Sequence, residues 1–168
     1  MTTLKMHRCA PAVLADHIRE MKLHLRETYW GLADDTPVLS VDSVWLGLGS
    51  FLLRDATGCL YGGCHLAVDR KGTILLSHLF KVGESPAKIL PTVLEWLATS
   101  YPGAELWVDC FDIPGLIEHY AKHGFEEYDR ARFQHSHAPE FWSLRDGTPD
   151  VVYMARTIPG SAFGEGSY

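Results

Sequence analysis

Residues 105–125, ELWVDCFDIPGLIEHYAKHGF, decide the fold. Glu105 to Phe111 read as a buried strand, because the run is short, largely apolar and bounded by turn residues. PGLIEHYAKHGF, from Pro114, reads as a short helix ending at Gly124, where glycine accepts the left-handed backbone of a helix C-terminus. The stop Tyr101-Pro102-Gly103 precedes the strand, and two further strand candidates, EEYDRARF (126–133) and PDVVYMARTI (149–158), follow the helix. Between them HSHAPEFWSLRDGT (135–148) is too long for a tight hairpin turn and is an inserted loop.

Upstream, Ile89, Leu90, Val93, Leu94, Trp96 and Leu97 recur at helical spacing, which predicts a helix over about 86–100 with Ser85 as N-cap and Pro86 as its first residue. Pro91 falls about five positions inside that helix, where it removes a backbone donor. SVWLGLGSFLLRD (43–55), CLYGGCHLAVD (59–69) and TILLSHLFKV (73–82) have strand character and are divided by DATG and DRKG, turn signals ending in glycine. Three such strands in succession make an antiparallel meander. Leu4 to Arg8 is a further short strand, and Val13, Leu14, His17, Ile18, Met21 and Leu25 step along an amphipathic helix that ends near Tyr29-Trp30-Gly31. GLADDTPVLSVD (31–42) is a polar, turn-rich loop of the kind that lines a pocket. The element order predicts a mixed α+β fold, a central and mostly antiparallel sheet of about seven strands with helices on both faces. Residues 1–158 are expected to form one domain and 159–168 a polar tail.

Composition narrows the function classes. At 168 residues, with 46% hydrophobic and 21% charged side chains, the chain can sustain a core without disulfide or metal staples. Fifteen Lys and Arg against twenty-one Asp and Glu give a net charge of −6, which argues against general nucleic-acid binding. Cys9, Cys59, Cys64 and Cys110 lack metal or redox spacing. The N-terminus lacks the apolar core of a secretion signal, and no apolar run is long enough to span a membrane. The expectation is a cytoplasmic, reducing compartment and no membrane partner.

The element order, YAKHGF at 120–125 and the strand, loop and helix at 74–97 together resemble the GNAT superfamily of N-acetyltransferases over about residues 4–156. Members commonly carry a Tyr, two or three residues, then Gly-Phe at the end of the helix after the fifth strand, and Tyr120, Gly124 and Phe125 stand at those places. The resemblance implies an acetyl-CoA-dependent N-acyltransferase in which a substrate amine attacks the thioester directly, in a cleft where the fourth and fifth strands splay. Acetyl-CoA would be the co-substrate, its pantetheine arm held along Leu79, Phe80, Lys81 and Val82 and its pyrophosphate by the segment from Gly83 through Ser85 to Lys88. Tyr120 would protonate the departing thiolate. In the pyrophosphate segment the chain departs from the family: Ser85 stands where an Arg or Gln is usual, and Pro86, Lys88 and Leu90 stand at glycine positions. That departure favours a competing reading, a catalytically inactive domain of the same fold that binds a protein partner or serves a larger assembly.

Several residues can be weighed by their own chemistry, including against the thiolate and amine that the resemblance implies. A strand entering a helix N-terminus directs unpaired N–H groups and the helix dipole at one point, and Lys81 and Lys88 bracket that point, which suits a phosphate. The Tyr120 phenol is a proton source for a thiolate. An attacking amine must be deprotonated, and His78 on the fourth strand, Asp109 on the fifth and His65 on the third are the candidate bases. If the turn between the third and fourth strands is the two-residue loop Lys71-Gly72, His65 and His78 face each other. The acidic surface suits a basic acceptor, either a small-molecule amine or a protein lysine or N-terminus, and a protein partner or a homodimer is compatible with it. His119 and His123 stand four apart on a helix without a third ligand, Cys110 reads as a small buried hydrophobe, and Gly47 and Gly49 precede a strand instead of a helix. The insertion, with Pro139, Phe141 and Trp142, is the candidate specificity loop.

Overall fold

The computed structural model describes residues 3–25, 46–82, 88–112, 115–132 and 150–160. Strand β1 (Lys5–Cys9) leads into helix α1 (Pro11–Leu25), where Pro11 takes the first helical position and its missing N–H has no helical acceptor to lose. A meander of β2 (Leu46–Arg54), β3 (Leu60–Val68) and β4 (Ile74–Lys81) follows, and α2 (Ile89–Ser100) crosses over to β5 (Glu105–Phe111). Helix α3 (Leu116–Lys122), β6 (Glu126–Ala131) and β7 (Val151–Thr157) complete the chain order. Among the described residues seven strands form one sheet, β1-β2-β3-β4-β5-β7-β6, antiparallel at every pair except β4–β5. This is the mixed, mostly antiparallel α+β sheet expected from the element order.

Two reversals of the meander share one design. The Asp55 N–H donates to the Cys59 carbonyl at 3.1 Å, and the Asp69 N–H donates to the Thr73 carbonyl at 3.0 Å. Gly58 and Gly72 adopt φ of +87° and +84°, and Oδ1 of each aspartate accepts two backbone N–H groups of its own loop. The loop between β3 and β4 is therefore Arg70-Lys71-Gly72 and not the two-residue Lys71-Gly72. With that extra residue, His65 pairs with Ser77, so the expected His65–His78 pair does not form.

β4 also carries a bulge. His65 pairs with Ser77 and Gly63 with Phe80, so His78 and Leu79 together stand opposite Cys64. Across the bulge the Phe80 ring lies over Gly63, where an added Cβ would come 2.7 Å from both the ring edge and the Phe51 carbonyl oxygen. Gly63→Ala is expected to destabilise the fold by about 1–3 kcal/mol through overpacking. A thermal melt should show the midpoint falling by roughly 3–10 °C; an unchanged midpoint would mean that the ring does not need this bare backbone.

The sheet buries both faces. On one, Leu66, Leu76, Leu106 and Met154 pack against Leu90, Val93 and Leu97 of α2. On the other, α1 sets Leu14 and Ile18 on Leu52 and Phe80. Each fully buried leucine contributes about 1.5–3 kcal/mol by leaving water. The start of α2 is later than its periodicity suggests: Lys88 is the N-cap, and Thr92 donates its N–H to the Lys88 carbonyl at 3.2 Å. Pro91 accounts for this. At the third helical position its absent N–H deletes no helical bond, whereas a start at 86 would place it where a bond is required. Ser85 and Pro86, the 31–42 loop, the 135–148 insertion with its aromatic residues, and the tail from 161 onward lie outside the described residues.

β4 and β5 pair only at Ile74–Leu106 and Leu75–Trp107. Beyond that seam β5 continues alongside β7 as far as the Phe111–Val151 pair, while β4 continues alongside β3. The two strands part into a wedge.

Candidate active site

Past Leu75, the edge of β4 that faces the wedge has no strand partner among the described residues. A strand edge without a pairing strand is a place where an extended ligand can add its own backbone-like hydrogen bonds. The opposite wall is β5, whose side chains alternate between the faces. The pair register places Leu75, Trp107, Asp109 and Tyr153 on the face covered by α1 at its other end, and Leu106 and Val108 on the face of α2 and α3.

Tyr120 belongs to the second face. The helix that carries it is stopped by Gly124 at φ +88°, and the Tyr120 carbonyl accepts the N–H groups of His123 at 3.0 Å and Phe125 at 3.1 Å. This turn brings the Phe125 ring edge-on to Tyr120 with 5.4 Å between centroids, and Arg156 of β7 holds it by donating to the His123 carbonyl. Tyr120 is left 6% exposed in the core beside Leu106 and Val108. His119 stacks 5.7 Å from Tyr120 and 5.0 Å from His123. Burial first, then the charges of His123, Lys122 and Lys81, hold its imidazole below the ordinary histidine pKa. Among the described residues no third ligating side chain joins His119 and His123.

Asp109 stands on the opposite face, just past the last β4–β5 pair and across from Tyr153. The residue is exposed as a whole, yet desolvation by the surrounding protein raises its carboxyl above the usual carboxylate range. A carboxylate so placed is a better base than an ordinary aspartate. His78 occupies the bulge of β4, with its side chain outside the described set. His65 is 4% exposed, with Nδ1 2.9 Å from the Ser50 hydroxyl and Nε2 without a hydrogen-bond partner among the described residues. Burial lowers its pKa and keeps it neutral. It lies on β3, with β4 between it and β5, and so does not line the wedge. Burial pushes the Cys110 thiol up to about 12, which leaves it a thiol and not a nucleophile.

The side chains expected to hold a cofactor arm divide into two sets. Leu79 packs against the larger core and Phe80 is buried in the smaller one, so only their backbone can serve a ligand. The Val82 N–H donates to the Tyr61 carbonyl at 2.9 Å, while Lys81, Val82 and Lys88 are exposed. Gly83 and Ser85 lie outside the described residues. Because Pro91 has no N–H, the first turn of α2 presents at most the N–H groups of Ile89 and Leu90.

One constellation was not legible beforehand. Trp107, Tyr128 and Tyr153 converge on the face of Asp109, with ring centroids 5.4 Å apart for Trp107–Tyr128 and 6.2 Å apart for Tyr128–Tyr153. The insertion of β7 between β5 and β6 brings them together. The only sequence signal was the alternation that puts Trp107 and Asp109 on one side of β5.

No protein-family model and no curated protein matches the chain. Solved structures do match. The ribosomal-protein-S18-alanine N-acetyltransferase from Escherichia coli is 14% identical, with a TM-score of 0.63 over 95% of this chain and 97% of that one. A GNAT superfamily phosphinothricin acetyltransferase from Sinorhizobium meliloti, in complex with AcCoA, is 14% identical with a TM-score of 0.59 over 97% of this chain and 92% of that one. Spermidine N-acetyltransferase from Vibrio cholerae, in complex with CoA and spermine, is 12% identical with a TM-score of 0.57 over 92% of this chain and 95% of that one. The chain has the fold of these acetyltransferases.

Proposed function

We propose that this chain is an acetyl-CoA-dependent N-acyltransferase that moves an acetyl group to an amine by direct attack. The observation that carries this reading is the wedge, in which β4 and β5 share two residue pairs and then separate, so that past Leu75 no strand of the described residues pairs with that side of β4. The fold shared with acetyltransferases, two of them in complexes with AcCoA or CoA, supports it. The residues present fit such a ligand: β4 offers backbone to an extended arm, and exposed Lys81 and Lys88 offer charge to phosphates near the start of α2. The four cysteines are free thiols, which supports a reducing, cytoplasmic setting.

Bound acetyl-CoA supplies a thioester acyl group, and transfer breaks its C–S bond as the amine C–N bond forms. In this scheme the chain's own groups work from opposite faces of the sheet. Asp109 accepts the proton of the attacking amine, directly or through one water, and its raised pKa suits that task. Tyr120, on the α3 side, gives its phenolic proton to the departing sulfur. Backbone N–H groups of the β4 edge polarise the carbonyl. The acceptor is an amine of a small molecule or of a protein; solved structures of the same fold include both a spermidine and a ribosomal-protein acetyltransferase.

Titration with CoA tests this directly. At a ligand concentration about 100-fold above Kd the fold gains about 2.7 kcal/mol, a rise of roughly 5–10 °C in Tm. Lys88→Ala is expected to weaken CoA binding by about fivefold while leaving the apo melting point unchanged. No response to millimolar CoA or acetyl-CoA would overturn the enzyme reading in favour of a domain of the same fold that binds a partner.

A further inference from the structure

The aromatic cluster beside Asp109 has a chemistry of its own. β6 carries a bulge at Tyr128, since Glu127 pairs with Met154 and Asp129 pairs with Tyr153. The bulge sets Tyr128 on the face of Trp107 and Tyr153, where it is 50% exposed. Every charged residue that the register assigns to this face of β5, β7 and β6 is acidic: Glu105, Asp109, Glu126 and Asp129. Arg130, the cation of β6, belongs to the opposite face and is held there by Glu127 at 2.7 Å, Asp112 at 2.6 Å and Asp150 at 3.3 Å. Carboxylates crowd Tyr128 closely enough that Asp109, Asp129 and Glu105 all add to burial in raising its phenol pKa.

We infer that this face is the acceptor subsite and that it selects a di- or polyamine, whose non-reacting ammonium lies against Trp107, Tyr128 and Tyr153 while Asp109 receives the proton of its reacting amine. This specificity rests on the acyltransferase reading above. Indole and phenol π faces attract a cation, and surrounding carboxylates complete the field without requiring a dedicated ion pair. Trp107 and Asp109 are two residues apart on one side of β5, a rise of about 6.6 Å. That is the span of a short alkyl diamine, so one molecule can reach both. A monoamine reaches only Asp109 and forfeits the aromatic contact.

Two measurements separate this subsite from the enzyme reading. Calorimetry of spermidine onto the full chain without acetyl-CoA is expected to show binding that weakens by about fivefold or more in Tyr128→Leu and is retained in Tyr128→Phe, which keeps the ring. Raising the salt should weaken it further. With acetyl-CoA, kcat/KM for putrescine should exceed that for n-butylamine, and Tyr128→Leu should erase the difference by raising KM for putrescine alone. If Tyr128→Leu does not fold, Asp129→Asn replaces it with the same expected direction. Absence of spermidine binding, or binding and kinetics indifferent to these substitutions, overturns the subsite even where CoA binds. Spermidine binding to a chain that ignores CoA upholds the cation site and sinks the acyltransferase.

Discussion

Tyr120→Phe is expected to lower kcat for acetyl transfer by about 100-fold or more, with KM for acetyl-CoA nearly unchanged. General-acid assistance to a leaving group contributes about 10²–10⁴-fold, and the phenylalanine ring preserves the packing on Phe125 and His119. Loss of one hydroxyl contact changes stability by about 1 kcal/mol, too little to unfold the chain. The diagnostic measurement is the dependence on the leaving group. An acyl donor with a more acidic thiol needs less proton assistance, so Tyr120→Phe should recover most of its lost rate with a nitrophenyl thioester. A variant with wild-type kcat, or one equally impaired with both donors, would remove Tyr120 from the chemistry.

Phe125→Ala is expected to cost about 3–5 kcal/mol of stability, because a buried phenylalanine leaves a cavity that close-packed neighbours refill only partly. For a chain of this size that corresponds to a Tm lower by roughly 6–20 °C. Activity measured well below the new midpoint should also fall, since the ring that fixes Tyr120 edge-on is gone, while Phe125→Leu should cost about 1.5 kcal/mol or less and keep most of both. A melting point within a degree of wild type would mean that the helix end does not depend on this ring.

The Tyr120 to Phe125 segment was legible because its information is local. A glycine after a helix implies a left-handed stop, and Gly124 adopts it at φ +88°. Element order was legible for the same reason, through the periods of the apolar residues. Reading failed where one residue decides. The β3–β4 loop takes three residues because Asp69 can accept the Lys71 and Thr73 N–H groups at once, and this displaced the expected histidine pair by one step. Pro91 moved the start of α2 in a similar way. The grouping of Trp107, Tyr128 and Tyr153 was not legible at all, because it depends on β7 lying between β5 and β6, a strand order that no local pattern encodes.

The β4 bulge resets the parity of the strand. Up to Ser77 the odd-numbered residues of β4 point toward the α1 side; after the extra residue the even-numbered Phe80 does, and odd-numbered Leu79 joins the larger core. The chain spends its largest β4 side chain on the smaller core, directly above a glycine that makes room for the ring. The same sequence in unbroken alternation, without the bulge, would therefore act as a transposition: Phe80 would be sent into a core already filled and Leu79 would take its place under α1, whereas a one-residue deletion within 77–79 removes the extra residue and leaves Phe80 opposite Gly63 on the α1 side.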